Sequence, residues 1–208
     1  MEIIEISDPT ITFLTEQLSS GFDGHPSKLY GYTGGHRSGG MHLSDILQDL
    51  YIRLEKPKPG GGQKEPIWTA GLAWEHVLSW GWSQVFPDQP DRIIHMGEFT
   101  KDGVVMTPDR VDVTWPGVVE MKATWKSLWK WPIQEQWYWL AQVKAYCHAL
   151  GMDQARFYVL YLMDVMGMYG GPPSPPKCWE VRFTQRELEM NWTMVINHRD
   201  FLLKGDNR

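Results

Sequence analysis

Apolar and polar positions along the chain fall into helical and strand-like stretches separated by Gly- and Pro-rich punctuation. A short helix is expected near Ile11–Ser19, followed by a flexible loop over residues 21–42, rich in Gly, His and Ser. Leu43 to about Glu55 reads as a helix with Ser44 as its N-cap. Lys56–Glu65 is a basic linker of Pro and Gly. A second helix is expected over Ile67–Val85, carrying Leu72, Ala73, Val77 and Leu78, with Gly81 interrupting its end. Strands are predicted at Arg92–Thr100 and Val104–Val113, joined by a hairpin at Lys101-Asp102-Gly103, and a third at Gly117–Lys122. A helix over Gln134–Leu150 stops at Gly151. Ala155–Met163, apolar apart from Arg156, reads as a strand of the kind buried on both faces. Gly167–Pro176 is a loop, Cys178–Phe183 a strand, and Thr184–Leu203 a helix opened by a Thr-x-x-Glu capping box at Thr184 and Glu187. The core order is α-β-β-β-α-β, an α/β class with a mixed sheet between helices. One domain is expected over residues 1–208: an acidic, flexible segment 1–42, a core over 67–163, and a C-terminal strand and helix over 178–208.

Composition narrows the function classes. Apolar residues make up 42% and charged residues 22%, an ordinary globular balance. No apolar run approaches the roughly 20 residues of a membrane span, and no signal-peptide pattern opens the sequence, so a cytoplasmic protein without a membrane partner is expected. Cys147 and Cys178 are the only cysteines, which excludes a disulfide framework and any four-cysteine metal site within the chain. No His-x3-His pair with a third partner points to zinc. The net charge of −5 weighs against nucleic-acid binding. Residues 1–24, however, hold Glu2, Glu5, Asp8, Glu16 and Asp23 without any Lys or Arg, so the rest of the chain is balanced and has room for a local basic stripe.

The chemistry concentrates in Val104–Lys122. Asp109 lies on one apolar run, and eleven positions later a second run ends in Glu120-Met121-Lys122. Side chains alternate along a strand, so Glu120 and Lys122 share a face and Met121 points to the other. Two carboxylates and an ammonium on one face are costly in a core. They make sense around a hard divalent cation, which takes oxygen ligands from one or two carboxylates, water and a substrate phosphate.

Asp-x10-Glu-x-Lys after a hairpin resembles the core motif of the PD-(D/E)XK nuclease superfamily, and Thr107-Pro108-Asp109 resembles its RecB-type and lambda-exonuclease-type branch. The α-β-β-β-α-β order is also that superfamily's core arrangement. The resemblance implies a restriction-endonuclease-like fold and Mg²⁺ or Mn²⁺ bound by Asp109 and Glu120, with the Met121 carbonyl as a third ligand. Asp112 is a rival to Asp109, which the Thr-Pro-Asp form favours. Glu75, four positions after Gly71, matches the helix carboxylate that such relatives aim at the metal, in preference to His76. Lys122 is then the catalytic lysine. Gln142 and Tyr146 match the Gln-x3-Tyr motif of RecB-type nucleases. Arg37 and Ser44 loosely match a DNA-contacting Arg and Ser near the start of related domains. These blocks span roughly residues 71–163.

The function so implied is a metal-dependent DNA exonuclease in phage or mobile-element recombination or repair. A homo-oligomer and a recombination partner protein are compatible with it. The alternatives are a structure-specific endonuclease on the same fold and a catalytically silent DNA- or protein-binding module, with the acidic N-terminus as its contact surface. No nucleotide-binding P-loop is present, so the chain is not itself a helicase. Twelve tryptophans stand out, five of them between Trp125 and Trp139. Trp125 and Trp129 interleave with Lys126 and Lys130, which suits stacking on nucleobases as well as packing. Trp137 and Trp139 are read as packing residues of the following helix.

Overall fold

The computed structural model describes residues 1–19, 38–54, 64–165 and 174–205. In chain order the elements are β1 (Glu2–Ile6), α1 (Pro9–Ser19), β2 (Met41–His42), α2 (Leu43–Arg53), α3 (Lys64–Val85), β3 (Ile93–Ile94), β4 (Phe99–Lys101), β5 (Val104–Met106), β6 (Arg110–Asp112), β7 (Gly117–Thr124), α4 (Trp137–Leu150), β8 (Gln154–Tyr161), α5 (Leu162–Val165), β9 (Lys177–Arg182) and α6 (Gln185–Gly205). Two 3-10 turns, Leu128–Lys130 and Ile133–Glu135, join β7 to α4.

Six strands form a central mixed sheet in the order β1-β9-β8-β7-β6-β3. β7 and β8 are parallel, joined by the crossover through α4, and the other pairs are antiparallel. Helices cover both faces. On one, Val119, Met121, Tyr158 and Cys178 pack with Ile11 and Leu14 of α1 and Trp74, Leu78 and Trp82 of α3. On the other, Val118, Phe157, Val159 and Val181 pack with α2, α4 and α6 through Ile46, Leu47, Val143, Ala145, Leu188 and Val195. β8 feeds alternate residues to both faces, which is why it is apolar without a break from Phe157 to Tyr161, while Arg156 near its start pairs with Asp112 and Glu180.

Two predicted strands are each cut in two. Arg92–Thr100 becomes β3 and β4, and Val104–Val113 becomes β5 and β6. The halves nearest the hairpin leave the central sheet for a second, three-stranded sheet, β2-β5-β4. The breaks fall at Gly97, whose φ of +71° leaves the strand conformation, and at Pro108, which cannot donate to a ladder. The hairpin itself forms as predicted. Asp102 and Gly103 have φ of +49° and +73°, both left-handed, as a two-residue turn between twisted strands requires.

Other boundaries also shift. Residues 1–19 are an edge strand and a docked helix rather than part of a flexible segment, and the rest of the 21–42 loop up to residue 37 lies outside the described residues. The N-cap of α1 is Asp8, whose Oδ1 accepts the Thr10 and Ile11 N–H groups at 2.9 and 3.3 Å. Ser44 is not the N-cap of α2: His42 holds that position and Ser44 sits inside the first turn. α3 runs through Gly81, where an added Cβ would come within 2.9 Å of Thr10 Cγ2, so the glycine serves the close approach of α1. α4 starts at Trp137, after a 3-10 turn over part of its predicted first turn, and ends at Gly151 with φ +70°. The capping box of α6 forms, with Thr184 N donating to Glu187 Oε2 at 2.9 Å and Glu187 N to Thr184 Oγ1 at 3.3 Å.

Candidate active site

The site lies where the central sheet splits. β6 pairs with β7 only as far as Arg110 opposite Val119. Beyond that point Pro108 and Thr107 carry the chain to the second sheet, and among the described residues β7 continues without a strand partner on that side. Asp109 stands at the fork. Its Oδ2 accepts the Met121 N–H at 2.7 Å, so a side chain replaces the ladder bond a strand would have made. The N–H and C=O of one strand residue point the same way, so the Met121 carbonyl faces the side on which the Asp109 carboxylate lies.

Glu120 and Lys122 project together on the α4 side of β7, as the alternation predicts. Lys122 Nζ donates to Glu120 Oε1 and, at 3.2 Å, to Gln142 Oε1. Gln142 Nε2 donates to the Tyr146 hydroxyl at 2.8 Å, and that hydroxyl donates to the Thr107 carbonyl at 3.2 Å. Gln142 and Tyr146 are one helical turn apart on α4. They form a relay from the ammonium to the segment that leads into Asp109, tying both sides of the fork to one helix. Glu75 approaches from α3. The preceding Trp74 is buried and donates its Nε1–H to the Tyr158 carbonyl at 2.9 Å, which pins this turn of α3 to the sheet. Glu75 interacts electrostatically with Asp109, Arg110 and Lys122.

The electrostatics record an excess of buried negative charge. Burial, then repulsion from Asp109, raises Glu75 to about 7. Burial and Asp109 raise Glu120 to about 8, against the pull of Lys122. Burial also raises Asp109, opposed by Lys122 and by the Met121 N–H. For Lys122, burial acts downward, but Glu120 and Asp109 outweigh it and the ammonium is stabilised. Lys122, with Arg110 acting on Glu75 and Asp109, thus faces three carboxylates that destabilise one another. Among the described residues, no three His, Cys, Asp or Glu side chains are gathered into a ready metal cage. The donor set nonetheless suits a hard cation of the Mg²⁺ type, which needs only one or two carboxylates and keeps several waters. Glu120 Oε2 is buried and accepts no hydrogen bond, so it is a carboxylate oxygen with its ligand capacity unused.

Asp109, Glu120, Lys122, Gln142 and Tyr146 are therefore brought together, and Glu75 lies near enough to act on Asp109 and Lys122 electrostatically without a hydrogen bond to them. Asp112 is elsewhere: it is buried, pairs with Arg92 at 3.1 Å and Arg156 at 3.7 Å, and accepts the Thr114 and Trp115 N–H groups. Its role is to close the turn between β6 and β7. Ser44 touches the neighbourhood through its carbonyl, which accepts the Tyr138 hydroxyl at 3.3 Å. Arg37 lies outside the described residues. Trp125, Lys126 and Lys130 are exposed, on the segment that follows β7. Trp137 and Trp139 pack against the core, as expected. Sequence reasoning missed Arg110, whose Nη1 donates to the Asp109 carbonyl at 2.8 Å. Arg110 adjoins Asp109, but strand alternation argues against its sharing a site with its neighbour. Only the break in the strand allows it.

No family model matches the chain, and no curated protein matches it. Among solved structures it is similar to one described as the crystal structure of SSO0001, at 11% identity over 91% of this chain and 86% of that one, with a TM-score of 0.41. Likeness at that level carries no argument about activity.

Proposed function

We propose that this chain is a divalent-metal-dependent deoxyribonuclease with a restriction-endonuclease-like core of the PD-(D/E)XK type. The observation that supports it is the pairing of buried Glu120 with half-buried Lys122, facing Asp109 across a split in the sheet, with Glu75 of α3 near enough to act on Asp109 and Lys122. Asp109 and Glu120 would hold Mg²⁺ or Mn²⁺, with the Met121 carbonyl turned to the same side and Glu75 joining them through the ion's waters or by a side-chain movement on binding. A bound ion supplies Lewis-acid polarisation of water and of phosphate oxygens. Hydrolysis adds water across one P–O bond and leaves a phosphate monoester and a hydroxyl.

The chain's own residues do the positioning. Lys122 places a fixed positive charge where the phosphate gains negative charge. Gln142 aims the ammonium through its carbonyl oxygen, and Tyr146 fixes Gln142 against the Thr107 carbonyl. The Met121 N–H fixes Asp109. Preference for an exonuclease of phage or mobile-element recombination or repair, with a homo-oligomeric form and a recombination partner protein, rests on the resemblance of the motifs.

The test is incubation of purified protein with 5′-labelled linear single- and double-stranded DNA and with a closed circle, in Mg²⁺, Mn²⁺ or EDTA, beside Lys122→Ala. Metal-dependent loss of linear DNA by wild type alone is the expected result, with the circle surviving if the enzyme is an exonuclease. A cut circle would make it an endonuclease. Intact substrates throughout would overturn the reading in favour of a silent binding module.

A further inference from the structure

Between β7 and α4 the chain carries a group of aromatic and basic side chains that the proposed chemistry does not use. Trp129 is 86% exposed and Trp125 41% exposed. Isolated exposed apolar residues need no explanation, but this pair is flanked by Lys126 and Lys130, both exposed. Lys126 Nζ lies 3.6 Å from the centroid of the Trp131 ring. The segment is held in place: Leu128 N donates to Asp164 Oδ2 at 2.7 Å, and Lys130 and Trp131 N–H groups close the 3-10 turn on Ser127 and Leu128. The exposed indole thus sits on a fixed support.

Next to it is a cavity of about 230 Å³ walled by the rings of Tyr51, Trp131, Trp137 and Tyr138, with Lys130 on its rim and Glu135 and Gln136 also lining it, a carboxylate and an amide that can pair with the polar edge of a ring. Tyr51 stacks on Trp137 with centroids 6.0 Å apart and meets Tyr138 edge-on at 6.2 Å. The volume lies below the range of about 300–1,000 Å³ for a whole small-molecule ligand and suits a single flat ring system. Tyr138 links the cavity to the site, because it stands one helical turn before Gln142 on the same face of α4.

We propose that residues 125–139 form a binding site for unpaired nucleobases of a DNA strand. One base enters the aromatic cavity, a neighbouring base stacks on Trp129, and Lys126 and Lys130 meet the phosphates between them. Three features favour a nucleic-acid strand over a protein partner: ring faces alternate with ammonium groups, the only charges over residues 125–130 are the two lysines and so complement phosphate, and the segment continues from the strand that carries Glu120 and Lys122. Base–aromatic stacking tolerates any sequence, so the site selects unpaired structure. The inference rests on the DNA-nuclease reading and gives it a substrate class, single-stranded or frayed ends.

Fluorescence anisotropy in EDTA, with a labelled oligothymidine, the same length carrying abasic residues, and a blunt duplex, tests it. Wild type is expected to bind oligothymidine more tightly than the abasic strand. Trp129→Ala is expected to weaken oligothymidine binding about tenfold, leave the abasic strand and the duplex unchanged, and leave folding intact because the side chain is exposed. Trp129→Phe should retain most of the affinity. Equal wild-type affinity for the thymidine and abasic strands would overturn the proposal, and that arm needs no variant. So would equal losses on single strand and duplex, or loss of self-association in Trp129→Ala with DNA binding intact. Lys122-dependent cleavage with no effect of Trp129→Ala would sink this inference alone, whereas absence of any DNA binding or cleavage by wild type would sink the nuclease reading beneath it.

Discussion

Asp8→Ala is expected to be among the most destabilising single substitutions outside the site. Asp8 is buried between β1 and α1 and serves two structures at once. Oδ1 caps α1 through the Thr10 and Ile11 N–H groups. Oδ2 accepts the Tyr158 hydroxyl at 2.9 Å, and Tyr158 belongs to β8 in the middle of the sheet. Losing an N-cap costs about 1 kcal/mol. Leaving a buried hydroxyl without its partner costs about 1–3 kcal/mol more. The expected total is about 2–4 kcal/mol, which for a chain of this size lowers Tm by about 5–15 °C at roughly 2–4 °C per kcal/mol. Asp8→Asn keeps a capping oxygen and should cost much less. Urea unfolding of a double-mutant cycle with Tyr158→Phe separates the two roles. In the Tyr158→Phe background Asp8→Ala should cost only the cap, about 1 kcal/mol. Equal costs in the two backgrounds would refute the link to β8, and a cost within about 0.5 kcal/mol in wild type, as for an ordinary surface substitution, would refute both roles.

Further outcomes follow from the site and the caps. Gln142→Leu keeps the helix but removes the Lys122 acceptor and the Tyr146 contact, so DNA cleavage should fall by about 10–100-fold, chiefly in kcat, with Tm changed by only a few degrees; unchanged kcat would remove Gln142 from the positioning of Lys122. Saturating Mn²⁺ should raise Tm, since a ligand at 100 times its Kd stabilises by about 2.7 kcal/mol, and the rise should vanish in Asp109→Asn; a rise that survives would place the ion elsewhere. Thr184→Ala removes half of the capping box of α6 and should cost about 1 kcal/mol in urea unfolding. Burial acts upward on the Glu187 carboxyl, but the Thr184 N–H and hydroxyl and the Met1 ammonium hold it down at about 2. A lowered folded value means its stabilisation is fully present above the ordinary carboxylate range near 4.5 and is lost as pH falls towards 2. Glu187→Gln should therefore flatten stability against pH across that window, and an unchanged slope would count against the assignment.

What could be read from the sequence was whatever repeats with the period of one element. Glu120 and Lys122 share a face because strand parity is two, and Gln142 and Tyr146 share a face because a helical turn spans four residues. What those faces meet depends on how distant elements pair. β1 shows this from the outside of the sheet. Its sequence, Glu-Ile-Ile-Glu-Ile, carries acids that look like a solvated tail until β9 is known to lie beside it, with Glu2 opposite Arg182 and Lys177 donating to Glu5 at 2.8 Å. The split at Asp109 shows it at the site. Pro108 and Gly97 were visible interruptions, yet each reads equally well as a kink in one long strand. That both strands of the hairpin break, and that their outer halves form a second sheet with β2, is a fact of pairing and not of periodicity. The consequence is chemical. An unbroken strand would have satisfied the Met121 N–H with a backbone carbonyl and left Asp109 to alternate away from it. The break frees that N–H for a carboxylate, brings Arg110 alongside its own neighbour, and lets Tyr146 reach the Thr107 carbonyl. The local failure of the strand pattern is thus what assembles the site, and sequence reasoning loses accuracy at the residues where the fold departs from regularity to do so.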